Sequence, residues 1–369
     1  MNKRNYGLDL LRILLMLGVV ILHVNLFSEP GETDYTAYER FSGPASYYSI
    51  LFLEYMAICV VNGFAILSGY VGYTANFRFK RIIPLYLTVL FYNVIAAIIF
   101  HALDIESFAY MSTQSVAEHL LPISGGFHWF FVAYFATFFL MPFINSGVRA
   151  ADEKQLITGV VILILILSFG GVFFEQDVFD LDHGYSFVWI AIMYLLGAVL
   201  KRFGTAEKLR PRVWLLLYAA ATVLIWFTSM YLRFMINKGF IAGISSLTFL
   251  SYLSPFTVIQ AICLVMGFAG IKTGSRLNRV IAFAAPHAFS VYIIHANEFI
   301  WDYIMKTAFT WISGLSFPLR PLSVIGCAAA VFIVCVLIDI PRAWLFSAVS
   351  KLIGRFGRKK EVPADKASG

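Results

Sequence analysis

Two ionisable residues of complementary chemistry share one face of a single apolar segment. Between Gly7 and His23 the only ionisable side chains are Asp9, Arg12 and His23. On a helix, the eleven steps from Arg12 to His23 come within about 20° of three full turns and rise about 16 Å. Both side chains therefore share a helix face, at opposite depths. An imidazole titrates near neutrality and can take up a proton or act as a nucleophile. A guanidinium offers two parallel hydrogen bonds to a phosphate. Asp9 precedes Arg12 by one helical turn and can pair with it. Ionisable groups inside a span are costly, so they are candidates for function. The plainer alternative is an Arg12 that snorkels to the nearer interface and a His23 that makes a polar contact at the other.

The elements that must position these groups follow from composition. Of the 369 residues 60% are hydrophobic and 13% charged, against about 25% charged in an ordinary soluble domain. The apolar runs are helix-length and do not alternate, which excludes both a soluble globule and a transmembrane barrel. The expected fold class is all-α, a polytopic transmembrane bundle. At about 20 apolar residues per crossing, ten spans are expected: 8–27, 48–70, 82–103, 127–144, 156–174, 185–200, 213–232, 247–270, 280–300 and 321–346. Basic residues gather at Lys3 and Arg4, from Arg78 to Arg81, from Lys201 to Arg212, from Lys272 to Arg279, and from Lys351 to Lys360. These segments fall on one side, and by the positive-inside rule both termini are cytoplasmic. Arg233 and Lys238 run against the bias, which makes the seventh and eighth spans the least secure. The first span resembles a signal peptide but has no small-residue cleavage site after it, and it is read as retained. Residues 1–350 read as one integral membrane domain and 351–369 as a basic, disordered cytoplasmic tail.

The net charge of +7 is explained by these boundary residues, so no nucleic-acid partner is expected and the lipid bilayer is the first partner. Cys59, Cys263, Cys327 and Cys335 lie in apolar stretches without a CxxC pair, and read as small buried hydrophobes. His101, His119 and His183 show no metal-ligand spacing, so no metal site is expected.

Several motifs, taken in order, resemble the membrane acyltransferase family 3, whose members acylate sugars of envelope polysaccharides and some small molecules. The run from Leu8 to Arg12 followed by ten residues and His23 is similar to the family's first-span signature. The segment Gly63 to Tyr70, with Ser68 and Gly69, resembles its second-span motif. Phe77 to Tyr86, with Arg78, Lys80, Arg81 and Pro84, resembles the basic loop and proline that follow. His128, Trp129 and Phe130, with Pro142 thirteen residues after the tryptophan, resemble the Trp-Phe-Leu span. Ser290, Tyr292 and His295 resemble the late Ser-x-Tyr-x-x-His segment, and Asp339 to Pro341 the closing Glu-x-Pro. Three positions depart from the family: Phe138 stands where a tyrosine is common, Tyr134 where a glutamate is common, and Asp339 where the closing acid is glutamate.

The resemblance implies a reaction and assigns roles within it. His23 is the expected general base or transient acyl acceptor, two routes that the sequence does not separate. Glu54, at a similar depth in the second span, is the expected acceptor that orients it, or else a paired acid near the interface. Arg12, Arg78 and Arg81 are the expected binders of acyl-CoA phosphates, with the alternative that Arg78 to Arg81 only anchor the span. His128, Trp129, Tyr134, Tyr292 and His295 are the expected substrate-binding residues. The aromatic ones serve equally as interface belts, and His295 equally as a hydrogen-bond partner for a neighbouring helix. Ser68 and Gly69 suit close helix packing, and His287 suits the carbonyls freed by Pro286.

The implied function is an O-acyltransferase, with acetyl the leading acyl group, in the cell membrane. It moves the acyl group from cytoplasmic acyl-CoA to a hydroxyl of an envelope polysaccharide or lipid-linked glycan. Acyl-CoA is then a donor substrate, and no bound cofactor is expected. With no soluble transfer domain expected on the chain, acylation is direct or passes to a separate extracytoplasmic transfer partner. The competing function is a polysaccharide exporter or transporter, against which the lack of an internal repeat weighs.

Overall fold

A computed structural model describes residues 4–28, 44–105, 113–173, 177 and 179–359. Lys3 and residues 360–369 of the expected tail lie outside the described residues. The main helices are α1 (Tyr6–Phe27), α2 (Pro44–Ala57), α3 (Val60–Gly72), α4 (Ile82–Ala102), α5 (Thr113–Leu120), α6 (Trp129–Ala150) and α7 (Glu153–Phe173). They continue with α8 (Phe187–Arg202), α9 (Pro211–Asn237), α10 (Pro255–Ala269), α11 (Ser275–Ala284), α12 (Ala288–His295) and α13 (Leu319–Lys359). No strand occurs among the described residues, as the lack of alternation predicts.

Every one of the ten expected spans contains a helix. Among the described residues, eight helical stretches are long and apolar enough to cross a membrane. The other two expected spans are filled by the shorter helices α8, of 16 residues, and α10, of 15. The second span is α2 and α3 in series, broken near Cys59, and the ninth is α11 and α12 joined through Pro286. In the eighth, residues 247–253 stay outside the helix, which begins where Pro255 supplies a favourable first-turn residue. That span is one of the two, the seventh and the eighth, that the basic-residue bias leaves least secure. The last helix continues through the start of the expected tail as far as Lys359.

Burial sorts the helices into an inner and an outer set. Helix α1 is central, packed against α2, α3, α10, α11, α12 and α13. Asn5 starts it by accepting the Leu8 N–H through Oδ1 at 3.1 Å, and ties it to α10 by donating to the Ala269 carbonyl at 2.9 Å. By contrast α7 and α9 turn apolar side chains outward, among them Leu163, Ile166 and Phe169, and Leu216, Leu224 and Phe227. A helix with apolar residues on its exposed face is at home against lipid.

The closest helix contact is between α3 and α8, where two glycines face the opposing backbone. A methyl group on Gly69 would lie 1.9 Å from the Tyr194 carbonyl oxygen, and one on Gly197 would lie 2.0 Å from that of Ile66. This is the close packing that Ser68 and Gly69 suggested. Gly197→Ala must push the helices apart or bend them, at a cost of about 1–3 kcal/mol or more. We expect a clear fall in its thermal denaturation midpoint in detergent; an unchanged midpoint would show that the contact is not tight.

Candidate active site

A cavity of about 740 Å³ runs through the bundle along one face of α1. Arg12, Met16, Val19 and His23, at successive helical turns, form that wall. The shared face expected from their spacing is therefore real, and both side chains open onto the same space. The opposite walls come from Glu54 and Ser68 on α2 and α3, Trp129 and Tyr134 on α6, Tyr292 on α12, and Trp301.

At one end, His23 is held by a second histidine. Its Nδ1 lies 2.9 Å from His295 Nε2, and His295 Nδ1 lies 2.5 Å from the Val291 carbonyl oxygen. A carbonyl can only accept, so His295 Nδ1 carries a proton and donates it. In its neutral form His295 then has a bare Nε2, which accepts from His23 Nδ1. The result is that His23 Nε2 keeps its lone pair. This is the protonation pattern of a general base or a nitrogen nucleophile, with the second histidine as its orienting acceptor. Trp301 packs edge-on against His23, with centroids 4.7 Å apart, and Phe27 packs against Trp301 at 4.6 Å. Trp301 opens a π-helical turn, Trp301–Met305, a departure from α-geometry that is frequent at functional sites.

The side chain placed at hydrogen-bond distance from His23 Nδ1 is His295, where the sequence suggested Glu54. Glu54 lines the cavity, but its carboxylate accepts a hydrogen bond from Asn25 Nδ2 on α1. Asn25 is two positions beyond His23, about 200° further round α1, so the bond ties Glu54 to another face of that helix than the one that carries the base. His295 is reached from the far end of the sequence, and it is buried behind His23 rather than exposed to a substrate.

At the other end, Arg12 is anchored from below. Its Nη1 donates to Asp9 Oδ1, and Arg4 Nε donates to Asp9 Oδ2 at 2.5 Å. Asp9 is buried while Arg12 keeps about a third of its side chain exposed. One carboxylate thus fixes the base of the guanidinium and leaves donors facing the cavity. The Tyr134 side chain reaches Ser68 and lies in the field of both Arg12 and Arg81. Arg78 and Arg81 are exposed and do not line the cavity. Phe77, packed at a tilt against Phe138 at 4.9 Å, and Phe79, packed against Phe139 at 6.2 Å, pin their segment to α6. Phe138, where the family often has tyrosine, is thereby a packing residue.

His128 is not a cavity residue. It is buried, with Nε2 3.2 Å from Asn93 Oδ1, and its ring meets Tyr292 at 5.6 Å. The Tyr292 hydroxyl accepts the Phe130 N–H at 3.3 Å. His128 therefore supports Tyr292, which does line the cavity. Trp129, Tyr134 and Tyr292 stand where substrate contact was expected, and His128 and His295 stand one layer behind.

Sequence reasoning overlooked Arg342. Asp339 is fully buried and accepts Tyr92 Oη at 2.6 Å, His287 Nδ1 at 2.5 Å, and Arg342 Nε and Nη2 both at 2.8 Å. Arg342 also reaches Ser290 Oγ at 3.2 Å. The cluster clamps α13 to α4 and to the segment that carries His295. His287 therefore serves this acid and not the carbonyls freed by Pro286. Its sequence signal was an arginine three residues after the acid, inside an apolar helix. Asp339→Asn leaves Arg342 with no carboxylate in a buried site, a loss of about 3–5 kcal/mol. We expect little folded protein from that variant, and partial recovery in Asp339→Leu/Arg342→Leu, both read by size-exclusion profile and melting point. Equal recovery of Asp339→Asn and the wild type would remove the clamp from the account.

Among the described residues no group of histidine, cysteine, aspartate or glutamate is arranged to hold a metal ion. The free cysteines are apart and largely buried. A comparison with curated proteins and one with solved structures each returned no match. A family model described as an acyltransferase domain matches residues 5–340. That span holds the whole cavity, both ends of its α1 wall, and the Asp339 carboxylate. The chain thus belongs to acyltransferase family 3 and is a multi-pass membrane acyltransferase of groups other than aminoacyl groups.

Proposed function

We propose that this protein is an O-acetyltransferase that takes its acyl group from cytoplasmic acetyl-CoA and delivers it to a sugar hydroxyl of an envelope polysaccharide or lipid-linked glycan. The observation that carries the reading is a single helix face with an anchored guanidinium at one end and an oriented, lone-pair imidazole at the other. Arg12 binds a phosphate of the donor, and Arg78 and Arg81 attract it from outside the cavity. The donor's arm then lies along Met16 and Val19, which brings its thioester towards His23. With the termini in the cytoplasm of a cell-membrane protein, the Arg12 end meets the donor and the His23 end meets the acceptor.

In the direct route His23 Nε2 takes the hydroxyl proton as the sugar oxygen bonds to the thioester carbonyl carbon. The carbon–sulfur bond breaks, and the proton passes from His23 to the departing thiolate, which leaves as free CoA. In the two-step route Nε2 itself bonds to the carbonyl carbon as the carbon–sulfur bond breaks and CoA departs as thiolate; the sugar oxygen then bonds to that carbon as the carbon–nitrogen bond breaks, and the freed Nε2 takes up the hydroxyl proton, whose later release neutralises the thiolate. His295 holds the ring in the same tautomer in both. Trp301 meets the imidazole edge-on and is itself backed by Phe27, which limits the water that reaches that side of His23.

Inverted membrane vesicles test this reading, because acetyl-CoA added outside them meets the cytoplasmic face. Labelled acetyl-CoA should transfer acetyl to glycan inside the vesicles with the wild type and not with His23→Ala. Label that stays as acetyl-CoA with the wild type would rule the reading out.

A further inference from the structure

Trp301 stands across the direction in which an acyl group held at His23 would lengthen. Its indole meets the His23 imidazole edge-on with centroids 4.7 Å apart, and meets Phe27 edge-on at 4.6 Å. Phe27 follows His23 by four residues, one helical turn and a rise of about 6 Å. One indole therefore spans the strip of α1 just beyond the base. Trp301 lines the cavity there together with Leu26, which lies on the same turn of α1 as Phe27.

The backbone that carries Trp301 is fixed from several sides. The Trp301 N–H donates to the Asn297 carbonyl at 2.7 Å. Asn297 is buried, and its Oδ1 accepts the Phe299 N–H at 3.2 Å while its Nδ2 donates to Asn93 Oδ1 on α4 at 3.3 Å. Phe299 in turn stacks on Phe100 of α4, with centroids 5.4 Å apart. The ring is thus held by contacts on α1 and its main chain by contacts to α4. A side chain packed in this way does not yield cheaply to an added methylene.

We propose that Trp301 sets the length of the transferred acyl group, admitting acetyl and turning away butyryl and longer chains. The proposal rests on the acyltransferase reading above and names the residue that selects the acyl substrate of that same site. The carbonyl carbon of a thioester is trigonal, so the sulfur and the alkyl group leave it in different directions. With the CoA arm arriving from Arg12 along Met16 and Val19, the alkyl group runs on past His23, towards Leu26 and Trp301. In acetyl-CoA that group is a single methyl and ends beside the base. Each further methylene has to enter space that the indole fills. The sugar oxygen attacks across the plane of the carbonyl group, so the indole obstructs the chain and not the acceptor.

The test is a competition in inverted membrane vesicles supplied with an equimolar mixture of acetyl-, propionyl-, butyryl- and hexanoyl-CoA. Acyl groups are released from the glycan by mild base and measured by mass spectrometry. One methylene in an apolar pocket changes a rate about 10- to 200-fold. The wild type should therefore transfer acetyl, at least about 10-fold less propionyl, and butyryl and hexanoyl only at the background seen with His23→Ala. Trp301→Ala should raise the butyryl-to-acetyl ratio at least about 10-fold, and Trp301→Phe, with its smaller ring, should raise it less. A general loss of activity cancels in that ratio, so an indole that only packs against His23 would leave it unchanged. Where Trp301→Ala yields no folded protein on size exclusion, the ratio in Trp301→Phe decides. A wild type that transfers butyryl as fast as acetyl, or a ratio that no Trp301 variant shifts, would overturn the length limit and leave the acyltransferase reading standing. A wild type that transfers none of these thioesters would remove that reading and the length limit with it.

Discussion

Replacing His23 with alanine should reduce acetyl transfer by about 10²–10⁴-fold, the range over which a positioned base accelerates proton transfer. The folded state should be spared, because His23 faces the cavity and its removal costs one hydrogen bond to His295. The finer test is at His295. Glutamine places an oxygen near the position of the imidazole Nε2 and can still accept from His23 Nδ1; alanine cannot. Losing a buried partner costs about 1–3 kcal/mol, which corresponds to about 5- to 150-fold in rate. His295→Ala should therefore be slower than wild type by that factor, and His295→Gln should recover much of it. If both variants were equally slow, His295 would have some role other than holding the tautomer. The assay is transfer of labelled acetyl at saturating donor, so that changes in binding do not enter.

Replacing Arg12 should act on the donor instead. An ionic hydrogen bond contributes about 1.5–3 kcal/mol, so Arg12→Ala should raise the KM for acetyl-CoA about 10- to 150-fold with a much smaller change in kcat. Lysine keeps the charge but loses the paired donors. It also loses the fit to Asp9, which fixes the guanidinium from its far side. Arg12→Lys should consequently fall between wild type and alanine. The effect of Arg12→Ala should shrink with dephospho-CoA thioesters if the lost contact is to the phosphate those donors lack. A kcat that fell by the same factor as KM rose would place Arg12 in the chemical step.

Much of this arrangement was legible in the chain. Arg12 and His23 belong to one helix, and helical periodicity fixes their relative direction without any knowledge of the rest of the bundle. The ten apolar segments were legible for the same reason, since each is a local property. Partners were not. His295 is 272 residues from His23 in the sequence, and nothing local distinguishes it from Glu54 as the acceptor for an imidazole at that depth. The choice is made by how α12 packs against α1. His128 shows the same limit: it adjoins Trp129, a cavity residue, yet as the residue before α6 it turns towards Asn93 and away from the space. Arg342 went unnoticed because a tenth span rich in apolar residues hides one charge well. Its significance appears only when Tyr92 and His287 are brought to Asp339, on its own helix, from two other elements.

In the proposed function one face of α1 divides the work, Arg12 holding the donor and His23 moving the proton. Steady-state kinetics of purified, reconstituted wild type, His23→Gln and Arg12→Lys with labelled acetyl-CoA and a glycan acceptor measure that division directly. His23→Gln should lower kcat with KM for acetyl-CoA nearly unchanged, and Arg12→Lys should raise KM with kcat nearly unchanged. Two variants that shift the same parameter together, or a His23→Gln enzyme that turns over like the wild type, would contradict it.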